Sequence, residues 1–527
     1  MPTDMTVPQT TSAYRYIQPG ARSPRARWVA LGVLVLAVLL VAVDATVLVL
    51  ALPFISESLN PSAPQLLWIG DIYSFVIAGL LVSMGSLSDR IGRRRLLLIG
   101  AAAFGAASLL GAYAPSAAWL IAARALLGVA GATIMPSTLS LIRTLFPEDR
   151  ERARAIGIWG AAATAGAAAG PLLGGVLLEH FWWGSVFLIN VPLVLVLIVL
   201  GRRLLPESRD PKPGAWDLLS VVLSLVGIIG AVYAVKEAAV SGLARPDVWP
   251  AAVLGVGCLV AFWRRQLRLP MPLLDVRLFG DRRFTAAVLA ALIALIGLSG
   301  VVFFLSQYFQ LVRGYSPLQA GLADLPAFAG STLGALAAAW LAGRFGHRRA
   351  LAGGLLAMGL GLGLLGWVDA STPYLLIGAA FAAIGLVEGV VYAMSTTMVL
   401  DAAPAAKSGA ASAVSETAYE LGTALGIALV GTVVTAIYRS GLVLPAGVPA
   451  GSAADAKNSL GGAVQTAHSL PGATGEALLH SAQTSFVHGM NVAALLSGGL
   501  LVAAAVLTWA LLGRRRAARG QELTPRS

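Results

Sequence analysis

The chain has 527 residues, of which 57% are hydrophobic and only 12% are charged. Because soluble globular proteins carry about 25% charged residues, this composition excludes an ordinary soluble enzyme and places the chain in a lipid bilayer. The single cysteine, Cys258, excludes a disulfide framework and a cysteine metal site.

Fourteen apolar stretches follow one another along the chain. A bilayer core about 30 Å thick needs about 20 apolar residues per helix. The first stretch follows a polar, basic tail (1–27) and exceeds the about 7–15 apolar residues of a signal peptide, so it predicts a retained helix. The predicted spans are 28–52, 66–87, 96–115, 117–142, 154–178, 184–205, 216–238, 248–263, 284–311, 317–343, 350–369, 373–399, 408–438 and 486–513.

Basic residues are distributed unequally between the two sides of this predicted bundle. The tails 1–27 and 514–527 and the loops on their side hold 31 Lys and Arg residues, whereas the opposite loops hold five. The positive-inside rule then predicts that both termini lie in the cytoplasm and that the chain crosses the bacterial cytoplasmic membrane. A polybasic surface facing anionic lipid accounts for the net charge of +12, so we expect the lipid bilayer and not nucleic acid as its partner.

A short motif predicts an internal repeat. Segments 87–95 and 341–349 each follow an even-numbered span and share a leucine, a glycine and three arginines in register. Parallel repeats are typical of transporters, and here they predict an all-α integral membrane protein with two six-helix halves, 28–206 and 284–513, separated by two inserted helices within 207–283. Residues 439–485 are predicted to lie outside the membrane, either as a hairpin of two helical stretches, 452–469 and 474–485, broken at Pro471-Gly472, or as a solvated loop.

Seven charged residues lie inside the predicted spans. Each costs about 2.5–3.5 kcal/mol at a helix centre, so such residues usually mark ion or substrate pathways. Six are acids, which predicts a pathway where protons and a cation compete for carboxylates. Four lie near the outer surface, two share a helix face at mid-depth, and one lies deeper. They are Asp44, Asp71, Asp324 and Arg124; Glu416 and Glu420; and Glu388.

Other side chains refine this pathway. None of the five histidines lies in the middle of a span, so protons are expected to pass over carboxylates. Tyr73 and Tyr419 are available for cation–π contact, although they also fit as ordinary membrane aromatics. For Asp324 and Glu388 a structural hydrogen bond is the alternative to substrate binding.

The segment 85–95 reads G-S-L-S-D-R-I-G-R-R-R and carries the sharpest local signal. Gly92 permits a tight turn between two helices, and Asp89 can pair with an arginine or cap a neighbouring helix N-terminus. These features predict a latch that includes Arg90 and Arg93. Ordinary positive-inside arginines would account for the arginine run, but not for the aspartate and the glycines. The segment resembles the signature G-x-L-x-D-R-x-G-R-R of the major facilitator superfamily.

Further motifs narrow this resemblance. Residues 166–175 read G-A-A-A-G-P-L-L-G-G; small residues four apart allow close helix packing, Pro171 offers a bend, and the pattern is similar to the antiporter motif of this superfamily's exporters. Arg124 begins an R-x-x-x-G pattern that resembles the fourth-helix motif, which implies proton coupling, with a snorkelling arginine as the alternative. D-A-T-V at 44–47, W-I-G-D at 68–71 and F-L-I-N-V-P at 187–192 resemble fourteen-helix drug:proton antiporters. E-T-A-Y-E-L-G at 416–422 resembles quaternary-ammonium efflux pumps of the QacA and SmvA type.

The resemblance covers residues 28–513, approximately. Together with the charged residues in the spans, it leads to one expectation. The chain is expected to be a monomeric proton-coupled antiporter without a cofactor that exports lipophilic cations such as quaternary ammonium compounds, dyes and biguanides. An exporter of one endogenous metabolite or antibiotic stays open, whereas no nucleophile–base pair, metal cluster or nucleotide motif supports an enzyme. The assigned residues are Asp44, Arg124, Glu416 and Glu420 for proton coupling; Asp71, Asp324, Glu388, Tyr73 and Tyr419 for substrate; and Asp89, Arg90, Gly92, Arg93, Gly170 and Pro171 for a conformational gate.

Overall fold

The computed structural model of the chain describes residues 23–59, 61, 63–209, 217–241, 245–270, 272–404 and 407–513. Fourteen of its helical segments are long and apolar enough to cross a membrane. The prediction of an all-α membrane protein with fourteen spans is therefore confirmed. Most of the two predicted tails, 1–22 and 514–527, lies outside the described residues.

Seventeen α-helices, with a 3-10 helix at Val276–Gly280 and a π-helix at Tyr308–Val312 that ends the ninth span, form these spans and their connections in the described part of the chain. The sixth span is divided into α6 and α7, the inserted helices are α8 and α9, and α15 and α16 are short helices between the last two spans. In chain order the helices are α1 (Pro24–Leu59), α2 (Ala63–Ile91), α3 (Arg93–Ala112), α4 (Ala117–Leu145), α5 (Asp149–His180), α6 (Ser185–Leu188), α7 (Asn190–Leu204), α8 (Leu218–Ser241), α9 (Val248–Arg268), α10 (Arg282–Gln307), α11 (Pro317–Phe345), α12 (His347–Leu365), α13 (Tyr374–Ala402), α14 (Ser408–Gly441), α15 (Ala450–Asn458), α16 (Leu460–Ser469) and α17 (Gly472–Gly513).

Local polar residues define several helix starts. The Ser116 hydroxyl accepts a hydrogen bond from the Trp119 backbone at the start of α4. Ser316 and Gln319 form a reciprocal capping box at the start of α11, and the Asp281 side chain caps α10. These contacts satisfy backbone N–H groups that have no partner within the first turn of a helix.

The two six-helix halves repeat the same packing. In the first half α1 packs on α5, α2 on α4, and α3 on α7; in the second, α10 packs on α14, α11 on α13, and α12 on α17. The halves meet where α2 contacts α14 and α5 contacts α11. Gly92 and Gly346 turn the chain at equivalent places, with φ of 113° and 78°, values that favour glycine because it lacks a Cβ.

Both chain ends of the described bundle lie on one face, because the number of spans is even. We call the face that carries Pro24 and Gly513 the tail face and the opposite one the far face. At the tail-face end, α2 and α14 approach closely where Gly85 meets Gly409. Only glycine allows this contact, since a Cβ on either residue would overlap the backbone carbonyl of the other.

The inserted helices attach to one side of the bundle. Helix α8 packs against both α2 and α14, while α9 packs mainly on α8. Arg265 of α9 binds Asp217 through two hydrogen bonds of 2.6 and 3.0 Å. The Arg265 hydrogen bond and a second one from Ser220 lower the pKa of Asp217 to about 2. Helix α9 is also longer than the predicted span 248–263.

The segment predicted as a hairpin or loop is helical, with different bounds from those expected. Ser459 interrupts the first stretch by capping α16, because its hydroxyl accepts a hydrogen bond from the Gly462 backbone. Residues 474–485 are not a separate helix, since α17 runs without interruption from Gly472 to Gly513. The Tyr438 hydroxyl connects α14 to the junction of α15 and α16, because it donates to the carbonyls of Ala456 and Ser459, at 2.7 and 3.2 Å.

The close approach of α2 and α14 leads to a first prediction. Gly85→Val is expected to separate the two helices at the tail face, because the new side chain would overlap the Gly409 carbonyl and lie against Ala413. Labelling of Ala413→Cys by a membrane-impermeant maleimide, with Cys258 replaced by alanine, should then become at least about tenfold faster, as burial is lost. Gly32→Val is the control, since nothing lies within 4 Å of a Cβ there. Unchanged labelling in Gly85→Val would contradict the prediction.

Candidate transport pathway

A buried ion pair lies inside the first half. Asp44 of α1 is fully buried, and its Oδ2 lies 3.2 Å from Nη1 of Arg124 on α4. Asn190 of α7 donates its Nδ2 hydrogens to Asp44 Oδ1 at 2.7 Å and to Ser108 Oγ at 3.1 Å. Side chains of α4 and α7 therefore neutralise and orient this carboxylate of α1, as a buried charge requires.

Arg124 also contacts the second helix. Its Nε donates to the carbonyl of Ile69 at 3.4 Å, and its guanidinium lies 4.5 Å from the centre of the Tyr73 ring. This distance is within the range of a cation–π interaction. Tyr73, predicted to bind substrate, thus holds a protein cation in this structure. Its buried hydroxyl has no hydrogen-bond partner within the described part of the chain.

The glycine-rich segment of α5 packs directly on α1 beside this pair. A Cβ on Gly170 would overlap the Thr46 hydroxyl and lie 3.1 Å from the Val43 carbonyl, while a Cβ on Gly166 would lie 2.9 Å from Ala42. Pro171 lies inside α5 at the next position. The segment predicted as part of a gate therefore supports α1 within two residues of Asp44.

Aromatic rings and a carboxylate form a second cluster where the halves meet. The rings of Tyr392 and Tyr419 are perpendicular with centroids 4.1 Å apart, and Trp159 of the first half stacks on Tyr392 at 5.9 Å. The Tyr392 hydroxyl faces Glu416. Glu416 Oε1 and the Tyr419 hydroxyl are buried without hydrogen-bond partners among the described residues. Both polar groups can therefore still bind a ligand or a proton.

The other predicted acids lie in different environments. Ser331 donates a 2.5 Å hydrogen bond to Glu388 and also lies 3.2 Å from the Thr164 hydroxyl across the boundary of the halves. Asp324 Oδ1 on α11 is buried without a hydrogen-bond partner among the described residues. The backbone of Asp71 belongs to α2, but its side chain lies outside the described residues.

Four acids share a lack of positive partners. Within the described part of the chain, none of them is part of an ion pair, and Arg124 is already paired with Asp44. Glu416 and Glu420 lie one helical turn apart on α14, where their negative charges repel each other. The pathway is therefore strongly negative, and a cation or protons can neutralise it. These acids are Asp324, Glu388, Glu416 and Glu420.

At the tail face, an acid of α2 binds the N-terminus of α14. Asp89 of α2 accepts hydrogen bonds from the backbone N–H of Gly409, at 3.0 and 3.1 Å, and of Ala410, at 3.3 Å. It is also paired with Arg93 at 2.9 Å. The partial positive charge of a helix N-terminus stabilises an anion, so Asp89 ties the first half to the start of α14.

Two arginines of the first half bind the C-terminal end of α13. Arg143 donates to the carbonyls of Leu400 and Ala403, the latter at 2.7 Å. Arg152 pairs with Asp401 at 2.6 Å. Cations are favoured at a helix C-terminus, where carbonyls lack partners. Basic side chains thus bind the C-terminus of α13, and the acid Asp89 binds the N-terminus of α14.

Glu207, which follows the sixth span, stabilises the turn after α2. Glu207 accepts a 3.2 Å hydrogen bond from the Arg94 backbone N–H, and a Cβ on Gly92 would lie 2.6 Å from its carboxylate. Arg90 has one buried guanidinium nitrogen without a hydrogen-bond partner among the described residues. Of the predicted gate residues, Asp89, Gly92 and Arg93 therefore meet at one point, while Gly170 and Pro171 lie elsewhere in the first half.

A family model of the Major Facilitator Superfamily matches residues 34–427. The chain belongs to the Major Facilitator Superfamily. Its helical architecture is similar to the human organic anion transporter MFSD10 (TM-score 0.63, 18% identity, covering 92% of this chain and 100% of that one). It is also similar to the proton:xylose symporter XylE (TM-score 0.59, 16% identity, covering 92% and 96%). At these identities the likeness concerns the fold alone.

Relatives by sequence are drug-resistance transporters. The multidrug efflux pump LfrA of Mycolicibacterium smegmatis is 49% identical, covering 92% of this chain and 96% of the relative. The methyl viologen resistance protein SmvA of Salmonella typhimurium is 40% identical, covering 93% and 99%. The puromycin resistance protein pur8 of Streptomyces alboniger is 37% identical, covering 93% and 92%. The prediction of a drug-efflux member of this superfamily, a multi-pass membrane transporter, is confirmed.

Sequence reasoning missed several residues that complete these clusters. Asn190 belonged to a recognised motif in the sixth span, and that motif is the signal that could have identified it. Arg143 and Arg152 carried no such signal, because basic residues at a membrane edge fit the positive-inside rule equally well. Trp159 was one of many membrane aromatics, and only the docking of the two halves brings it onto Tyr392.

The Asp89 contacts lead to a second prediction. Asp89→Asn keeps the size of the side chain but removes the charge that stabilises the α14 N-terminus, a contribution of about 0.3–2 kcal/mol. We expect the transport of a cationic dye such as ethidium to slow about tenfold in membrane vesicles, which corresponds to an increase of about 1.4 kcal/mol in the activation barrier of transport. Equilibrium binding of the dye should change less than about twofold.

The matched control is Glu148→Gln, which removes an exposed acid from the same face. It should leave both transport and binding unchanged. Binding that weakens in Asp89→Asn as much as transport does would argue against a role confined to the gate.

Proposed function

We propose that the chain is a proton-coupled antiporter that exports lipophilic cations across the bacterial cytoplasmic membrane. One observation carries the proposal. Glu416 lies unpaired beside the Tyr392–Tyr419 pair, and Glu420 lies one turn further along α14. Carboxylates next to aromatic faces suit an organic cation, because the ring face and the acid both attract positive charge.

The coupling follows from the cost of a buried charge. An unpaired carboxylate in the membrane is expensive, so each of these acids is neutralised by a proton, a cation or both in turn. Entry of a cation at Glu416 and Glu420 then displaces protons, and their return displaces the cation. This exchange needs no cofactor.

Orientation gives the exchange its direction. We infer from the distribution of basic residues that the tail face lies in the cytoplasm. The structure is then closed on the cytoplasmic side by Asp89, Arg143 and Arg152. Cargo enters when these contacts open, and the far face releases it. Because the contacts bind helix ends, they break together when the halves rock.

Divalent cargo fits the spread of the acids. Asp324 lies on α11, separate from Glu416 and Glu420 on α14, so two charged groups of one molecule can be neutralised at different places. The relative SmvA is named for resistance to methyl viologen, which is a dication. We therefore include divalent compounds, such as biguanides, in the proposed substrate range.

An exporter of a single antibiotic is the second candidate. The observation that favours it is the relative named for puromycin resistance. Both candidates share fold and coupling, and they differ in breadth. Survival of pump-deficient cells on a panel of chemically unrelated cations separates them, because a dedicated exporter protects against one compound and a multidrug pump against many.

Asp44 leads to a third prediction, which tests coupling. Asp44→Asn removes the counter-ion of Arg124, and breaking a buried pair costs about 3–5 kcal/mol. We expect proton-driven ethidium transport in inverted vesicles to fall below about a tenth of the wild-type rate, while the protein still reaches the membrane.

Ser108→Ala is the control for this prediction. It removes the neutral end of the same hydrogen-bond network and should retain most of the transport. Wild-type transport by Asp44→Asn would refute a coupling role for this acid.

Asp324 leads to a fourth prediction, on charge selectivity. In Asp324→Asn cells, efflux of divalent biguanides or diamidines should fall about tenfold, a loss typical of one charge contact, while monovalent ethidium is affected less than about twofold. Asp455→Asn, an exposed acid of α15, is the control at equal expression. Equal losses for both classes would remove Asp324 as the second-charge site, and efficient export of anions by the unmutated protein would overturn the cation assignment.

A further inference from the structure

A cavity of about 120 Å³ lies where the inserted helix α8 covers the gap between α2 and α14. Helices α2 and α14 touch at the tail face through Gly85 and Gly409. The cavity lies further from that face, between residues 74–78 of α2, residues 420–427 of α14 and helix α8, which packs against both. We call this cavity the α8 niche. Three of its defining residues are Phe75 of α2, Ile228 of α8 and Glu420 of α14.

The lining of the niche is mostly apolar. Phe75, Ile228 and Val232 are buried and form one packed cluster. The exceptions are a few polar groups, chiefly the exposed Ser74 of α2 and the half-buried Glu420. Glu420 accepts no hydrogen bond and is part of no ion pair within the described residues, so its charge is available to a ligand.

The size of the niche defines what it can hold. An engineered apolar cavity of about 150 Å³ binds benzene, so about 120 Å³ accommodates a phenyl ring or a short alkyl segment. A neutral hydrocarbon would leave Glu420 unpaired, whereas a quaternary ammonium group placed at the carboxylate would neutralise it. The niche and Glu420 together match an apolar arm attached to a cation.

We propose that the α8 niche is a subsite for the benzyl or alkyl arm of a monocationic quaternary ammonium compound whose cationic group lies at Glu420. The proposal rests on the proposed function, since it assigns part of the same pathway to cargo. It gives the inserted helix a role in substrate selection, because Ile228, Ile229 and Val232 supply one wall of the niche. The two six-helix halves by themselves would leave that wall open.

The test fills the niche from α8. In Ile229→Trp the larger side chain occupies the space of the arm, and Val222→Trp places the same residue at an exposed position of the same helix. Binding of benzyltrimethylammonium and of tetramethylammonium is measured by titration of the purified full chain in lipid nanodiscs. The wild type is expected to prefer the benzyl compound by at least about tenfold, the low end for burying a phenyl-sized group.

Ile229→Trp should abolish this preference without weakening tetramethylammonium binding, while Val222→Trp keeps it. Ile229→Ala enlarges the niche and should shift the preference about fivefold towards a naphthylmethyl arm, as added apolar contact predicts; it decides the matter if the tryptophan variant does not fold. No benzyl preference in the wild type, or an unchanged preference in both Ile229 variants, would overturn the niche. Proton-driven ethidium transport in vesicles is a separate readout, and its absence in the wild type would overturn the proposed function instead.

Discussion

The bilayer's intolerance of unpaired charge organises this protein. Arg124 is the basic residue deep inside the spans, and it is bound by Asp44, by the Ile69 carbonyl and by the Tyr73 ring. Because that positive charge is already used, nothing in the described protein neutralises Glu416 and Glu420. The protein thus separates an internal ion pair from acids without a positive partner among the described residues, and our proposal assigns protons and cargo to those acids.

The same rule acts at the tail face through helix ends. The connection between α13 and α14 offers free carbonyls at one end and free N–H groups at the other, and the first half satisfies both, with Arg143 and Asp89. Each contact joins a charge to a partial charge of opposite sign. In the proposed transport cycle these contacts hold the tail face closed, and a rigid-body movement of the halves would break them together.

The inserted helices add an asymmetry that the repeat lacks. Helix α8 contacts both halves on one side of the bundle, whereas on the other side, in the described part of the chain, α5 and α11 meet without contact from an inserted helix. Arg265 and Asp217 fasten α9 to the start of α8. The pathway thus has one side on which the wall is built from the inserted helix, and we connect substrate selection to that wall.

The sequence by itself determined the fourteen spans, because length and hydropathy decide whether a helix can cross a bilayer. It also determined the turn at Gly92, and it identified Asp44, Arg124, Glu416 and Glu420 as residues that a membrane does not accept without a function. Only the tertiary structure decided which charges meet. The pairing of Asp44 with Arg124, the grip of Arg143 on α13 and the niche beside Glu420 join helices far apart in the chain. Helical periodicity records which face of a helix is apolar, but it does not record which helix lies opposite.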